Sequence, residues 1–171
     1  ITPALTFSTT VAPLVRNKLI PAFVDVEEGT YNLDVNKVEE MITDKTKALM
    51  IPNLIGNMPD WPELREIADK YGLLVFEDSA DTLGGTINGK SSGAYSDMSI
   101  TSFYGSHVIN CAGNGGMLCV RESEHFERGK LLRSWGRSSS LFLDSETIEN
   151  RFNVEVDGIP YDSKFIFAEP G

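Results

Sequence analysis

One helix pattern that runs directly into an apolar strand constrains the fold of this chain most. The helix is predicted from Asp60, a natural N-cap, to Tyr71, with apolar residues at helical spacing, and Gly72 supplies the stop. Residues 73–77 follow as an apolar run that ends in a glutamate, typical of a parallel strand covered on both faces. The pattern predicts a βαβ unit, and therefore a sheet with helices packed on its faces.

The same alternation extends along most of the chain, so we expect an α/β fold with a mostly parallel sheet flanked by helices. Proline and glycine punctuate the predicted elements, and turn residues between 84 and 93 indicate a hairpin-like excursion. Pro13 fits the first helix only if it lies within about its first turn. Further strands are predicted at 21–26, 47–51, 98–103 and 117–120. Further helices are predicted from Ser8 or Thr9, from Asp34 to Ile42 and from Glu122 to Ser134. The first of these helices is expected to place Val11, Leu14 and Val15 on its inner side.

The acidic composition limits the classes of partner. The formal net charge is −10 and the pI is near 4.6, whereas nucleic acids and anionic membranes demand a basic surface. No apolar run approaches the ~20 residues of a membrane helix and no signal-peptide pattern is present, which favours a cytoplasmic protein. The two cysteines, Cys111 and Cys119, are expected to be free thiols, and no metal-ligand spacing is present.

Three polar stretches are expected at or just beyond the carboxyl ends of strands, where open α/β sheets bind ligands. They are residues 77–81 (Glu-Asp-Ser-Ala-Asp), 101–107 (Thr-Ser-Phe-Tyr-Gly-Ser-His) and 112–116 (Ala-Gly-Asn-Gly-Gly). Asp78 follows an apolar strand without a break, and a charge there is costly unless it is paired. Two roles explain Asp78 equally well. It could cap a helix or form a salt bridge, or it could pair with a cationic ligand atom such as the protonated ring nitrogen of a pyridoxal-type cofactor.

The other two stretches are ambiguous when taken singly. The Ser102 hydroxyl can donate to a phosphate, and the His107 imidazole can move a proton near neutral pH, although a lone histidine is more often structural or exposed. The glycines of 113–116 allow tight turns and close backbone approach, but they lack the spacing of a dinucleotide-binding loop.

Together, the stretches resemble the large domain of the DegT-type sugar aminotransferases, which are fold-type I pyridoxal phosphate enzymes. Several separate motifs in the right order carry the resemblance: residues 2–10, 23–26, 31–34, 53–57, 77–78, 102–104 and 115–116. The resemblance implies that residues 1–171 form part of an aspartate-aminotransferase-like large domain. The N-terminal phosphate-loop region and the C-terminal small domain are expected to lie outside the chain.

The resemblance also implies roles for matched residues. Phe7 falls where an aromatic ring stacks on the cofactor, Asp78 matches the carboxylate that pairs with the pyridine nitrogen, and Ser102 matches a serine that holds the cofactor phosphate. Five residues after that serine, the aminotransferases carry the lysine that links covalently to the cofactor. Here the residue is His107, and an imidazole cannot form that linkage.

This replacement resembles one branch of the family, the 3-dehydratases of nucleotide-linked 4-keto-6-deoxy sugars in deoxysugar and lipopolysaccharide biosynthesis. Asp81, which we expect among the cofactor-binding residues, also resembles that branch. The implied cofactor is pyridoxamine 5'-phosphate, regenerated from pyridoxal 5'-phosphate by an amino donor such as glutamate. His107 is implied as the base, and a homodimer is expected because the family builds its sites between subunits.

Some members of this branch carry a [2Fe–2S] cluster on four cysteines. Ala80, Ser138 and Ser140 stand where three of those cysteines would fall, and residues 148–149 near the fourth position are not cysteine. The resemblance therefore favours the branch without a cluster. Two alternatives stay open: an aminotransferase relative that has lost its lysine and acts in regulation or structure, and a non-catalytic α/β binding module.

Overall fold

A four-stranded sheet organises the first of two compact units, Ile1–Cys119 and Val120–Gly171, in the computed structural model. The structure describes residues 1–141 and 151–167. The strands are β1 Thr2–Pro3, β2 Phe23–Val24, β3 Ala48–Pro52, β4 Leu74–Asp78, β5 Thr86–Ile87, β6 Lys90–Ser91, β7 Met98–Ser102, β8 Gly116–Val120, β9 Val154–Val156 and β10 Ile159–Tyr161, and the α-helices are α1 Ser8–Arg16, α2 Trp61–Tyr71 and α3 Ser123–Arg133.

The sheet has the order β3-β4-β7-β8, and its first three strands run parallel. In this register Asp78, the last residue of β4, lies between Pro52 of β3 and Ile100 of β7. The carboxyl ends of these strands therefore meet at one edge of the sheet. The fold class predicted from the sequence is confirmed, and so is the excursion after Asp78, where β5 and β6 form an antiparallel hairpin.

Helix α2 matches its predicted bounds because both of its ends carry local signals. The Asp60 carboxylate accepts a hydrogen bond from the Glu63 backbone N–H at 3.1 Å, and Gly72 takes the left-handed conformation, with φ of 64°. The helix packs its apolar side on the sheet: Trp61, Leu64 and Ala68 are fully buried there, together with Leu49, Ile51 and Val75. Burial of each large side chain contributes about 1.5–3 kcal/mol.

The two ends of β4 differ in how far the sheet faces are covered. Side chains alternate along a strand, so Val75 and Glu77 point to the α2 face and are buried. Leu74 points to the other face and is 43% exposed. The prediction that both faces are covered is therefore wrong at the start of β4. At its end Asp78 is covered by α1, through a contact with Thr10.

Helix α1 begins at Ser8 as predicted, and Val11 and Leu14 of its predicted inner side are half-buried, but the prediction is wrong for Val15. Thr10 is its buried residue, whereas Val15 is 58% exposed. Pro13 lies in the second turn rather than the first, so the helix lacks one backbone donor there. The helix ends at Arg16. This places a hydroxyl, and not an aliphatic side chain, against the sheet edge.

The segment 34–42 forms two 3₁₀ turns, Val35–Lys37 and Glu39–Met41, instead of the predicted short helix. The Asp34 carboxylate accepts from the Asn36 N–H at 3.2 Å, a local bond that competes with a regular helix start. Val38, between the turns, is fully buried, so the segment still contributes to the core. The predicted strand at 21–26 is likewise reduced to β2, which pairs with β1 in parallel.

The second unit contains α3, within its predicted range, and the antiparallel hairpin of β9 and β10. Arg151 Nη2 lies 2.6 Å from Asp162 Oδ2 beside this hairpin. These two strands carry no periodic pattern from which they could be predicted. Residues 148–149, where the fourth cluster cysteine would fall, lie outside the described ranges.

Across residues 1–141 and 151–167, no helix is both long and apolar enough to span a membrane. Cys111 and Cys119 are both exposed free thiols, as the sequence predicts.

Candidate functional site

Asp78 is a buried carboxylate at the carboxyl end of β4. It is 9% exposed, and its Oδ2 accepts a hydrogen bond from Thr10 Oγ1 at 2.8 Å. Its Oδ1 accepts from the Ala80 backbone N–H at 3.1 Å. No cationic side chain of the described residues forms an ion pair with Asp78. A buried carboxylate held by two neutral donors retains lone pairs for a cation.

Thr10 is a site residue that the sequence interpretation missed. Its hydroxyl orients the Asp78 carboxylate across 68 positions of chain. The sequence contains no local signal for this contact, because Thr10 follows two other hydroxyl residues, Ser8 and Thr9, and nothing in the pattern marks it as the buried one. Phe7 is the N-cap residue of the same helix, and its side chain is 68% exposed. Thr10 therefore connects the helix that begins after Phe7 to Asp78.

Glu77 is a second buried carboxylate at the end of β4, and its side chain points to the opposite face of the sheet from Asp78. It is 2% exposed and accepts hydrogen bonds from Asn53 Nδ2 at 2.9 Å and from Ser96 Oγ at 3.1 Å. The hydroxyls of Ser79 and Ser92 also donate to it. Four neutral donors satisfy this carboxylate, so Glu77 joins the segments after β3 and β4 to the segment before β7.

Trp61→Phe tests how much this network stabilises the first unit. Trp61 Nε1 donates to Asn53 Oδ1 at 2.7 Å inside the core, and phenylalanine keeps most of the apolar volume while leaving that oxygen unpaired. We expect the free energy of unfolding to fall by about 1–3 kcal/mol, measured by urea denaturation. Phe76→Tyr, which keeps an aromatic ring outside this network, is the control. An unchanged midpoint for Trp61→Phe would show that the Asn53 bond contributes nothing.

Ser102 ends β7, two residues beyond the partner of Asp78 on the neighbouring strand. Its Oγ accepts from the Tyr104 N–H at 3.2 Å, which caps the turn that follows. The hydroxyl hydrogen is not used in that bond and can be donated to an anion. Ser102 and Asp78 thus lie on adjacent strand ends, as the sequence predicts for polar groups at this sheet edge.

His107 lies in the turn after β7, where its N–H donates to the Tyr104 carbonyl at 3.0 Å. Its imidazole Nδ1 is 3.3 Å from Asp81 Oδ1, and the side chains are 21% and 43% exposed. The Tyr104 ring meets the imidazole edge-on, with centroids 6.3 Å apart. The structure therefore brings together two predicted site residues, His107 and Asp81, from the loops after neighbouring strands.

The glycine-rich stretch lies at the start of β8 rather than after a strand end. A Cβ on Gly115 would lie 2.9 Å from Cys111 Sγ, and one on Gly116 would lie 3.0 Å from the Thr101 carbonyl oxygen. Gly116 therefore allows the close backbone approach that the sequence suggests, whereas Gly115 leaves room for the Cys111 side chain. Next to them, an open cleft of about 530 Å³ is lined by Tyr104, Gly105, Ser106, Asn110, Ala112, Gly113 and Asn114.

Known proteins match this chain over its whole length. It is 38% identical to the lipopolysaccharide biosynthesis protein RfbH of Salmonella typhimurium, with 100% of this chain and 40% of that protein aligned. It is 36% identical to the dTDP-4-dehydro-2,6-dideoxy-D-glucose 3-dehydratase of Saccharopolyspora spinosa, with 100% of this chain and 37% of the enzyme aligned. The chain thus spans well under half the length of these curated relatives.

A solved structure shows the same fold. It is a histidine-to-asparagine variant of GDP-4-keto-6-deoxymannose-3-dehydratase with bound GDP-perosamine. The match covers 99% of this chain and 42% of the dehydratase chain, with a TM-score of 0.82 and 29% identity. The model of the DegT/DnrJ/EryC1/StrS aminotransferase family matches residues 1–154. Because this match covers most of the chain, the chain belongs to the DegT/DnrJ/EryC1/StrS aminotransferase family.

Proposed function

We propose that this chain is the central part of a pyridoxamine 5'-phosphate-dependent dehydratase, without an iron–sulfur cluster, that removes the C3 hydroxyl of a nucleotide-linked 4-keto-6-deoxy sugar. One observation carries the proposal. An imidazole, rather than a lysine amine, lies beside Asp81 in the turn that follows Ser102. A base that forms no covalent link to the cofactor is free to move protons throughout an elimination.

The residues present fit the cofactor, and solved structures similar to this chain include one with bound pyridoxamine phosphate and one with a trapped pyridoxal phosphate–glutamate adduct. Asp78 offers a buried carboxylate with no cationic partner among the described residues, which suits the protonated ring nitrogen. Ser102 would hold the phosphate, and the exposed Phe7 ring would offer a stacking surface. Asp81 completes the proposed set beside the imidazole.

When bound, pyridoxamine phosphate supplies an amine that can condense with a keto group and a protonated ring that withdraws electrons. The Asp78 carboxylate would stabilise the positive charge on the ring nitrogen, and the Thr10 hydroxyl orients that carboxylate. His107 takes up a proton at an imidazole nitrogen, and a positioned base of this kind is worth about 10²–10⁴-fold in rate. Ser102 donates its hydroxyl hydrogen to the phosphate.

The relatives support the substrate class, since two of them are named as 3-dehydratases of nucleotide-linked keto sugars. We also propose that glutamate serves as the amino donor, that the intact protein is a homodimer, and that it acts in the cytoplasm. These proposals follow from the family resemblance and not from a contact in this chain.

Turnover of a nucleotide-linked 4-keto-6-deoxy sugar tests the proposal. The intact protein would be incubated with pyridoxamine phosphate, glutamate and the sugar, and the product analysed by mass spectrometry. We expect a product lighter by one oxygen atom, together with release of ammonia and consumption of glutamate. A 4-amino sugar as the product would instead show transamination, and an unchanged sugar would support a non-catalytic relative.

A further inference from the structure

We propose, on the basis of the function above, that Asp81 is a positioning residue that holds His107 in one tautomer. In this arrangement Nδ1 carries the proton and faces the carboxylate, and Nε2 is the nitrogen that accepts protons. The contact that supports this role is the 3.3 Å separation between His107 Nδ1 and Asp81 Oδ1. In a neutral imidazole, the partner of one ring nitrogen decides which nitrogen is protonated.

Both sides of the pair are anchored to the sheet. Asp81 lies between Ser79, whose hydroxyl donates to Glu77, and Thr82, whose hydroxyl donates to the Asn53 carbonyl at 3.2 Å. The Thr82 N–H also donates to the Ser79 carbonyl at 3.2 Å, which closes the turn around Asp81. Since Asn53 and Glu77 are buried, the carboxylate is presented from a turn that the core fixes in place.

The imidazole is anchored in a similar way. The backbone N–H of Tyr104 donates to Ser102 Oγ at the end of β7, and the backbone N–H of His107 donates to the Tyr104 carbonyl. The ring then has the Asp81 carboxylate at Nδ1 and the edge of the Tyr104 ring beside it. At 3.3 Å the carboxylate contact is longer than a short charge-assisted hydrogen bond, and catalytic contacts of this kind commonly tighten when the substrate binds.

An interaction with Nδ1 has a consequence for the other nitrogen. A carboxylate accepts and does not donate, so Nδ1 must carry the hydrogen whenever a hydrogen bond joins the two groups. Nε2 is then the basic atom of the neutral ring. Asp81 therefore determines which imidazole atom can act, a role distinct from binding the cofactor.

The ¹⁵N chemical shifts of the imidazole nitrogens test this proposal without cofactor or substrate. The intact protein would be labelled at histidine and recorded at alkaline pH, where the imidazoles are neutral, with His107→Asn used to assign the signals. We expect His107 to carry its proton on Nδ1 in the wild type, to shift toward the Nε2–H tautomer in Asp81→Ala, and to return toward Nδ1–H in Asp81→Glu. Exposed Asp44, in the turn before β3, gives the matched control Asp44→Ala.

Activity supplies a second readout. We expect kcat for sugar dehydration to fall by up to about 10²-fold in Asp81→Ala, the loss that misplacement of a catalytic group can cause, and to recover partly in Asp81→Glu. Unchanged imidazole shifts in Asp81→Ala would overturn the positioning role, even if cofactor affinity fell. Absence of dehydration by the wild type would overturn the proposed function instead and leave the tautomer result standing.

Discussion

Replacement of His107 by asparagine is expected to lower the rate of sugar dehydration by about 10²–10⁴-fold, the usual contribution of a positioned base. Asparagine keeps a polar side chain of similar reach, but it cannot take up a proton near neutral pH. Cofactor affinity should stay unchanged, because the proposed contacts to the ring nitrogen and the phosphate come from Asp78 and Ser102. The measurements are kcat under saturating substrate and cofactor binding by absorbance titration.

His125→Asn is the matched control, because it removes the chain's only other histidine, which lies in α3 of the second unit. The control should keep the wild-type rate. Full activity in His107→Asn would contradict the assignment of the base. A parallel loss of cofactor affinity would mean that His107 holds the cofactor rather than moving protons.

Asp78→Asn is expected to weaken pyridoxamine phosphate binding by about 10²–10³-fold, since loss of one partner of a buried charge pair costs about 2–5 kcal/mol. The same change should not reduce stability without cofactor. Asp78 is a 9% exposed carboxylate with neutral donors only among the described residues, and such a charge is costly to bury. Asparagine retains the shape and one acceptor oxygen for Thr10.

Asp97→Asn is the control, because it should lower stability and leave cofactor affinity unchanged. Asp97 Oδ2 binds Arg65 Nη1 at 3.0 Å and the Val75 N–H at 2.7 Å, so its loss should lower the free energy of unfolding by about 1.5–3 kcal/mol. Cofactor affinity should be unaffected once the variant is folded. Urea denaturation and absorbance titration on both variants separate the two roles. A destabilised Asp78→Asn with normal cofactor affinity would show that Asp78 is only structural.

Local signals account for what the sequence predicted well. The Asp60 cap and Gly72 set the ends of α2, and the apolar run that follows it set β4. Because Asp78 ends that run, its position at the sheet edge followed directly. The same reasoning placed Ser102, since β7 is also a short strand with a polar end.

Long-range packing accounts for what the sequence did not predict. Thr10 faces Asp78 because of how α1 lies on the sheet, and no local pattern encodes that orientation. The contact between His107 and Asp81 joins the loops that follow β4 and β7, and no local pattern encodes that these loops meet. The roles of all five predicted site residues toward a cofactor stay predictions: Phe7, Asp78, Asp81, Ser102 and His107.

Addition of pyridoxal 5'-phosphate to the intact wild-type protein and to His107→Lys tests the central claim most directly. Lysine is the residue that family aminotransferases use for covalent attachment, so a lysine side chain at this position should react with the cofactor aldehyde. We predict a visible absorbance band that borohydride reduces in His107→Lys and not in the wild type, with the reduced adduct mapped to position 107 by peptide mass spectrometry. Cofactor binding by His107→Lys without an adduct at this position would contradict the placement of His107 at the reacting end of the cofactor.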